Sequence, residues 1–265
     1  MAINNPVIVM ALYDIGRENW SNFRMSYHTY LWWMRNTLSL DANVVIYTES
    51  KFIDEIINYR KEFDKDLEKT IIVSSPLESL PIYKNYNEKL TNLMNSQEFK
   101  SKVSFHDVPE MCQPLYNIIM FNKVFFLKDT IEKKYFDNDM VIWADAGGLR
   151  ESVENYQLAK WPNIEKLNML DNSKITFFSH NQHFTVPDKQ FHSLSQIRNI
   201  QGTAFFLPSN LIDDLTNLVI ETIDESIDSG YIGSDEKIFD ICYTKKEDLF
   251  HLVKCSWREY FDIFK

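Results

Sequence analysis

The feature that most constrains the fold is a series of short apolar segments that alternate with amphipathic ones. Residues 6–13, Pro-Val-Ile-Val-Met-Ala-Leu-Tyr, are almost continuously apolar, which is typical of a strand covered on both faces. Further strands are predicted at residues 43–48 and 70–74, and helices at residues 20–38 and 50–61 separate the three. Because strands that alternate with helices form parallel β-α-β units, the sequence predicts an α/β fold.

The rest of the chain continues this pattern. Short helices are predicted over residues 76–109, longer helices over 114–127, 211–229 and from 235 onward, and strands at 140–143, 174–179, 198–208 and 249–253. A chain of 265 residues buries roughly 70 to 75% of its unfolded surface, enough for one large α/β domain or two small ones. The simpler prediction is one domain over residues 1–265.

Charge and cysteine usage exclude several classes of protein. The formal net charge of −10 repels polyanions and argues against nonspecific nucleic-acid binding, although it leaves room for a local basic pocket that binds one diphosphate. Three widely spaced cysteines fit neither a disulfide framework nor a zinc cluster. With no signal-like N-terminus and no apolar run of about 18 residues, the sequence predicts a cytoplasmic protein without a membrane span.

One candidate site lies where the strand at residues 140–143 ends. Asp145 follows this buried strand and precedes Gly147 and Gly148, two of the six glycines in the chain. Ligands of open α/β sheets bind at the carboxyl ends of strands, and glycine lets a ligand approach the backbone closely. The alternative is that Asp145 caps a turn or the next helix.

Four other residues each have a structural and a functional interpretation. Lys123 interrupts an apolar helix face, either as a lysine whose ammonium reaches solvent or as a buried cation directed at a ligand anion. Gly202 within a predicted strand indicates a bulge or a close ligand approach. Asp235 and Glu236 follow Ser234, a plausible N-cap, so the helix dipole alone accounts for them.

The His180-x-x-His183 pair has two interpretations as well. Two histidines at this spacing on a helix chelate a transition metal, but here they follow a predicted strand among polar residues. Solvated loop histidines are therefore the favoured interpretation over a zinc site.

Three groups of residues, in this order, resemble the bacterial HtrL/YibB family over residues 7–253. They are 11–17 (Ala-Leu-Tyr-Asp-Ile-Gly-Arg) with Trp20 and Arg24; 122–127 (Asn-Lys-Val-Phe-Phe-Leu) with 143–150 (Trp-Ala-Asp-Ala-Gly-Gly-Leu-Arg); and 201–206 (Gln-Gly-Thr-Ala-Phe-Phe) with 233–236 (Gly-Ser-Asp-Glu). That family looks like GT-A type glycosyltransferases. The resemblance implies a GT-A-like, Rossmann-type mixed sheet, mostly parallel and flanked by helices, that binds a nucleotide-sugar.

The resemblance places Asp145 at the Asp-x-Asp motif, whose carboxylates meet the donor ribose and a metal bound to its phosphates. Here the motif is Asp145-Ala-Gly147, so the second acid is absent. A departing nucleoside diphosphate still develops negative charge that needs Mg²⁺, Mn²⁺ or fixed cations. Asp145 and His251 are the predicted metal ligands, since Mn²⁺ accepts both carboxylate and imidazole.

The resemblance also assigns roles to other residues. Asp14 and Arg17 would contact the base and ribose of the donor, and Gly202 would lie beside the donor or acceptor sugar. Lys123, Arg24 or Arg17 would supply positive charge if no metal does.

Asp235 and Glu236 resemble the acids that deprotonate the acceptor hydroxyl in inverting enzymes. Because a helix N-terminus lowers a carboxyl pKa and weakens a base, binding acceptor hydroxyls is an equal alternative role.

The leading hypothesis from the sequence is a glycosyltransferase that moves a sugar from a nucleotide-diphosphate donor to a surface glycan or a lipopolysaccharide-type acceptor. A noncatalytic nucleotide- or sugar-binding protein with the same fold is the alternative, because the second acid is missing. A third hypothesis is a structural or interaction protein in which Asp145 only caps a turn. Periodicity does not identify the donor base, the sugar, the acceptor, the stereochemistry or the oligomeric state.

Overall fold

The computed structural model describes residues 3–256 and 259–265, and the strands of this part form one seven-stranded sheet. In chain order, the strands are β1 (Pro6–Leu12), β2 (Asn43–Thr48), β3 (Thr70–Ser74), β4 (Met140–Ala144), β5 (Ile175–Ser179), β6 (Ile200–Pro208) and β7 (Phe250–Lys254). Their spatial order is β3-β2-β1-β4-β6-β5-β7, and only β6 runs antiparallel to its neighbours. The predicted mixed, mostly parallel sheet flanked by helices is confirmed.

Helices cover both faces of this sheet. They are α1 (Tyr27–Leu38), α2 (Ile53–Lys61), α3 (Pro81–Asn95), α4 (Gln97–Lys102), α5 (Pro109–Cys112), α6 (Pro114–Phe121), α7 (Lys123–Lys133), α8 (Ile164–Leu167), α9 (Lys189–Leu194), α10 (Ile212–Asp228), α11 (Asp235–Lys245) and α12 (Tyr260–Ile263). In the described part of the chain, no helix has the length and apolar character needed to cross a bilayer.

Two hydrophobic cores explain why the strands read as continuous apolar runs. Along β1, Val7 and Val9 pack into a core with α3, α6, α7, α10 and α11, whereas Ile8 and Met10 pack into a core with α1 and α2. All four side chains are fully buried. Since successive strand residues point to opposite faces, a strand covered on both sides needs apolar residues at every position.

The helix predicted at residues 20–38 is too long by about two turns at its amino end. Helix α1 begins at Tyr27, after Ser26, whose side chain accepts a hydrogen bond from the Thr29 amide at 3.2 Å. Trp20 and Phe23 continue the aromatic spacing of this helix but lie in a loop, and Phe23 has a positive φ of 56°. The N-cap therefore overrides the periodicity, and residues 14–26 become a loop at the end of β1.

The helix predicted at residues 114–127 is two helices, α6 and α7, separated by Asn122. The buried Asn122 side chain donates to the Ile118 carbonyl at 2.7 Å and accepts from the Ile82 amide at 3.3 Å. Lys123 is consequently the first residue of a new helix.

The antiparallel β6 brings distant segments together beside β4. Ala144 pairs with Ala204, and the Asp145 amide donates to the Thr203 carbonyl at 2.8 Å. Because β6 runs opposite to β4, the start of β6 lies beside the end of β4. Gly202 and Thr203 therefore lie next to Asp145, and α11 packs against β6 at this place.

Candidate active site

A cavity of about 510 Å³ lies at the carboxyl ends of β1 and β4. Its wall comes from the loop after β1, the turn after β4, the start of β6 and the start of α11, together with residues of α5 to α7. The charged residues in this wall are Arg17, Arg24, Glu110, Lys123, Asp145, Arg150, Arg198, Asp235 and Glu236. The cavity thus lies where open α/β sheets bind ligands.

A buried ammonium joins two carboxylates in the cavity wall. Lys123 Nζ lies 2.9 Å from Asp145 Oδ1 and 2.7 Å from Asp235 Oδ2, and it donates to the Gly202 carbonyl at 2.7 Å. Asp145 Oδ1 also accepts from Trp143 Nε1 at 2.7 Å. We call Lys123, Asp145 and Asp235 the charge triad.

The charge triad is strongly coupled. The Lys123 side chain is 1% exposed and that of Asp235 6%, whereas the Asp145 side chain remains 28% exposed. Burial alone would lower the pKa of Lys123, but the carboxylates of Asp145 and Asp235 outweigh it and raise that pKa. Burial raises the pKa of Asp145, against the opposing effect of the Lys123 ammonium.

Lys123 is therefore a buried cation and not a lysine that extends to solvent, and the anions that it contacts are carboxylates of the protein. Its ammonium does not reach solvent, and its three protons are matched by three acceptors within the protein. Asp145 does not cap a turn with its side chain, since its carboxylate contacts Trp143 and Lys123 in the described residues.

Gly202 is required by the charge triad. A Cβ at this position would lie 2.3 Å from Asp235 Oδ2, closer than atoms can approach. The absent side chain thus allows Asp235 to reach Lys123 across the start of β6. Gly202 lines the cavity, as expected of a close ligand approach, but its tightest contact is with a neighbouring carboxylate.

The acidic wall of the cavity, which we define as Glu110, Asp235 and Glu236, contains a second charge cluster. Arg198 forms ion pairs with Glu110 and with Glu236, the latter at 3.1 Å. Glu110 and Glu236 belong to α5 and α11, two helices far apart in the chain. Arg198 therefore fixes the position of Glu236 at the edge of the cavity.

The surroundings of Glu236 strongly shift the pKa of its carboxyl group. Burial, reinforced by the Asp235 carboxylate, raises its pKa from 4.5 to about 7, although Arg198, Lys123 and the Gly202 amide oppose the change. From the sequence, the helix N-terminus was expected to lower this pKa. Burial and the neighbouring Asp235 carboxylate therefore outweigh the effect of the helix dipole on this pKa.

We define the arginine wall of the cavity as Arg17, Arg24 and Arg150. Its charged groups are all positive. The Arg17 guanidinium lies 5.3 Å from the ring centres of Trp20 and Tyr30 and donates from Nε to the Phe23 carbonyl at 3.0 Å. Cation–π contacts of this kind hold a guanidinium in place without neutralising it.

Arg150 is held in a similar way after β4. Its guanidinium lies 4.0 Å from the Trp33 ring centre, and its Nε donates to the Gly147 carbonyl at 2.7 Å. A Cβ at Gly147 would come within 3.1 to 3.2 Å of the Tyr30 and Trp33 rings. Gly147 thus lines the cavity, where it lets the turn after β4 pack against α1.

Charge matching differs between the two walls. Every carboxylate in the cavity wall has a cation partner, because Lys123 pairs with Asp145 and Asp235, and Arg198 pairs with Glu110 and Glu236. Among the described residues, Arg17 and Arg24 form no ion pair with a carboxylate. In a chain of net charge −10, the cavity keeps unmatched positive charge.

Asp14 lies next to the cavity but does not line it. Its carboxylate pairs with Lys51 and accepts from the Gly16 amide at 2.8 Å. Although partial burial acts to raise the pKa of Asp14, these hydrogen bonds outweigh it and lower the value. Asp14 therefore stabilises the loop that carries Arg17, and its predicted contact with a donor stays a prediction.

The structure does not bring the two predicted metal ligands together. His251 pairs with Thr176, which pairs with Phe206, which pairs with Ile142 of β4. Three strand spacings of about 4.8 Å separate His251 from the strand that leads to Asp145, or about 14 Å. No single ion bridges that distance. In the described residues, no group of three or more His, Cys, Asp or Glu side chains is arranged to hold a metal.

The charge triad does not fit a divalent ion either. An ion on the remaining oxygens of Asp145 and Asp235 would lie within about 5 Å of the Lys123 ammonium. At an effective dielectric constant of about 20, repulsion between charges of +2 and +1 at this distance is roughly 7 kcal/mol. Lys123 therefore already occupies the position between the two carboxylates and opposes a divalent ion there.

The His180-x-x-His183 pair lies away from the cavity. His183 has an 85% exposed side chain, 3.7 Å from Glu247, and His180 follows β5 in an exposed loop. Their placement fits the favoured interpretation of solvated histidines.

The sequence interpretation gave no role in a ligand site to Glu110, Arg150, Arg198, Thr203 or Ser234, all of which line this cavity. Arg198 and Thr203 belonged to a predicted strand, and Ser234 was a predicted N-cap. The helix does begin at Asp235, but the Ser234 hydroxyl forms no cap bond; it and the Thr203 hydroxyl are buried without a partner among the described residues. Both hydroxyls lie in the cavity wall, and no local sequence signal marks them.

A family model described as "Bacterial protein of unknown function (HtrL_YibB)" matches residues 4–265. The chain belongs to the HtrL/YibB family. The Protein HtrL of Escherichia coli strain K12 is 22% identical over 274 residues, which cover 99% of this chain and 92% of that protein.

Two solved structures resemble this chain at lower sequence identity. Mouse xyloside xylosyltransferase 1 in its apo form shares 13% identity and a TM-score of 0.49, over 98% of this chain and 92% of that one. The galactosyltransferase LgtC with donor and acceptor sugar analogues shares 9% identity and a TM-score of 0.49, over 93% and 73%.

Proposed function

We propose that this HtrL/YibB protein is a glycosyltransferase of GT-A type that binds a nucleotide-sugar donor in the cavity beside Asp145. The observation that supports this most is the charge matching: the carboxylates of the cavity have cation partners, whereas Arg17 and Arg24 have no carboxylate partner. Guanidinium groups bind phosphate oxygens with paired hydrogen bonds. A diphosphate supplies the anion that these arginines lack.

The other lining residues suit a sugar and a base. Tyr30, Tyr116 and Trp143 contribute aromatic rings, and Thr203 and Ser234 contribute hydroxyls without protein partners. Aromatic faces stack on sugar and base rings, and a buried hydroxyl without a partner gains a hydrogen bond when a ligand provides one. The family resemblance adds the acceptor class, a surface glycan or lipopolysaccharide-type molecule.

In a single-displacement transfer, the acceptor oxygen bonds to the anomeric carbon while the bond from that carbon to the β-phosphate oxygen breaks. The electron pair leaves with the nucleoside diphosphate, whose charge Arg17 and Arg24 stabilise. The acceptor proton passes to Glu236. A base with a pKa of about 7 has both a deprotonated population and sufficient basicity near neutral pH.

Asp235 has a different role in this scheme. Its Oδ2 atom accepts from Lys123 and its side chain is 6% exposed, so it is held inside the charge triad. Asp145 is more exposed at 28% and lies at the end of β4, where a donor ribose hydroxyl is within reach of a carboxylate. We assign Asp235 to positioning and Asp145 to donor binding.

Two measurements test the proposal. Calorimetric titration with UDP, GDP, CDP and TDP, each with and without Mn²⁺, detects the nucleotide, and chromatography detects hydrolysis of the matching nucleotide-sugars. Glu236→Gln should reduce hydrolysis about 100-fold and leave nucleotide affinity unchanged. Glu165→Gln, at an exposed position of α8, is the matched control. Absence of binding to all four nucleotides contradicts the proposal.

A noncatalytic nucleotide-binding protein is the second candidate. The observation that favours it is the charge triad, in which Lys123 already binds both carboxylates. This candidate predicts nucleotide binding without donor hydrolysis in the wild type, so the same two measurements separate it from the transferase.

A further inference from the structure

The position of the Lys123 ammonium deepens the proposed function. It lies between carboxylates from two distant segments, Asp145 after β4 and Asp235 at the start of α11. A divalent ion bound to two carboxylates would lie in the same place. Here the cation belongs to the protein and is attached to the first residue of α7.

The net charge of this arrangement decides what else the site must supply. Two carboxylates with a divalent ion sum to zero, whereas two carboxylates with one ammonium sum to −1. The charge triad therefore does not attract a diphosphate by itself. In addition, the three protons of Lys123 are used by Asp145, Asp235 and the Gly202 carbonyl, so none is left for a phosphate oxygen.

The arginine wall supplies the missing positive charge. Arg17 is held over the Trp20 and Tyr30 rings by its guanidinium plane, and Arg150 is held over the Trp33 ring next to the turn that carries Asp145. Arg24 belongs to the same loop as Arg17 and lines the cavity. A guanidinium already fixed by a ring loses little side-chain entropy when it binds a phosphate.

We infer that the cavity binds the diphosphate of its nucleotide through these arginines without a divalent metal, and that Lys123 takes the place of the metal between Asp145 and Asp235. The inference rests on the proposed function, because it names how the same cavity binds the same donor. It also explains the single acid in Asp145-Ala-Gly147: the second carboxylate is Asp235, and its partner is a lysine.

Calorimetry of the wild-type protein tests the inference. Each of UDP, GDP, CDP and TDP is titrated once in excess EDTA and once in excess MnCl₂. The nucleotide that binds should show the same Kd in both buffers, within about threefold. An affinity at least tenfold weaker in EDTA overturns the inference and leaves the proposed function standing. No binding in either buffer overturns both.

Mn²⁺ binding followed by electron paramagnetic resonance tests the role of Lys123 directly. Wild-type protein should leave the signal of free Mn²⁺ unchanged, whereas Lys123→Met should bind Mn²⁺ through the released carboxylates, and Lys123→Met with Asp235→Asn should lose that binding. Stoichiometric Mn²⁺ binding by the wild type, or none by a folded Lys123→Met protein, contradicts the inference. If Lys123→Met does not fold, the wild-type measurements decide.

Discussion

The arginine wall and the acidic wall border the same cavity, but they handle charge in different ways. Each acid of the acidic wall forms an ion pair with Lys123 or Arg198 from another segment of the chain, so its carboxylates have partners as soon as the protein folds. Arg17 and Arg24 have no carboxylate partner among the described residues. The acids are therefore held by ion pairs within the protein, whereas Arg17 and Arg24 would gain an ion pair only when an anion binds.

Loss of the Lys123 ammonium, the cation partner of Asp235 in the acidic wall, should have the greatest effect, and this effect is on stability. Lys123→Met should lower the free energy of unfolding by about 3 to 5 kcal/mol, because it leaves two carboxylates close together without their buried cation. Urea denaturation measures the change. Lys128→Met, on the same helix but in a more exposed ion pair with Asp213, should cost less than about 1 kcal/mol.

The double variant Lys123→Met, Asp235→Asn should recover part of the loss, since it removes one of the two unpaired charges. If Lys123→Met is as stable as the wild type, the charge triad does not contribute to the free energy of unfolding. The ion pairs of the acidic wall would then not distinguish it from the arginine wall in stability.

Substitutions in the arginine wall should change the affinity for the nucleotide. Arg17→Ala with Arg24→Ala should weaken nucleotide binding roughly 100- to 10,000-fold, because each lost charge-assisted hydrogen bond contributes about 1.5 to 3 kcal/mol. Calorimetry measures the affinity, which should also fall with rising salt. Arg35→Ala, whose guanidinium pairs with Glu62, is the control. An unchanged Kd in the double variant would show that the arginine wall does not bind the nucleotide.

Glu236 should make stability depend on pH. Its pKa is raised from 4.5 to about 7, so the folded state binds the proton more tightly than the unfolded state does. The associated stability is complete below about pH 4.5 and is lost as pH rises to about 7, by about 3 kcal/mol at about 1.4 kcal/mol per pH unit.

Among the groups that face Glu236, the Asp235 carboxylate adds to this increase in pKa, whereas Arg198 and Lys123 oppose it. The test is the difference in unfolding free energy between the wild type and Glu236→Gln at about pH 4.5 and pH 8. The variant should become the more stable of the two at the higher pH. A difference that does not change with pH contradicts the raised pKa.

The smallest expected effect concerns the rate. If Glu236 is the base, kcat/KM should fall about tenfold for each pH unit below about 7 and level off above it. The measurement is a pH profile of donor hydrolysis or transfer. A profile that stays flat from about pH 5 to 8 assigns the proton transfer to another group and leaves Glu236 with the alternative role of binding acceptor hydroxyls.

Local patterns predicted the parts of the fold that depend on local physics. The apolar runs of β1 and β4 located the central strands, because strands covered on both faces need apolar residues at every position. The same logic located Asp145, since a carboxylate directly after such a run lies at the edge of the sheet where ligands bind. Competing local signals caused the error at α1, where the Ser26 cap overrides the spacing of Trp20 and Phe23.

Local sequence patterns do not predict contacts between distant segments of the chain. Lys123 and Asp235 are 112 residues apart and Glu110 and Arg198 are 88 apart, and neither pair has a local signal. The metal prediction for Asp145 and His251 failed to produce a shared site for the same reason: the strand order, which places β6 and β5 between them, is not visible in periodicity. The family resemblance supplied the acids at α11 but not their partners.

The hydrogen bond from the Asp145 amide to the Thr203 carbonyl has a consequence for how the cavity moves. It extends the pairing of β4 with β6 in the middle of the sheet, where amide protons exchange with solvent only when the whole domain opens. The loop at residues 14–26 has few such bonds and exchanges through small local openings. Deuterium uptake should therefore be slow at Asp145 and faster around Arg24, because the sheet fixes the backbone of Asp145 whereas the backbone around Arg24 opens locally.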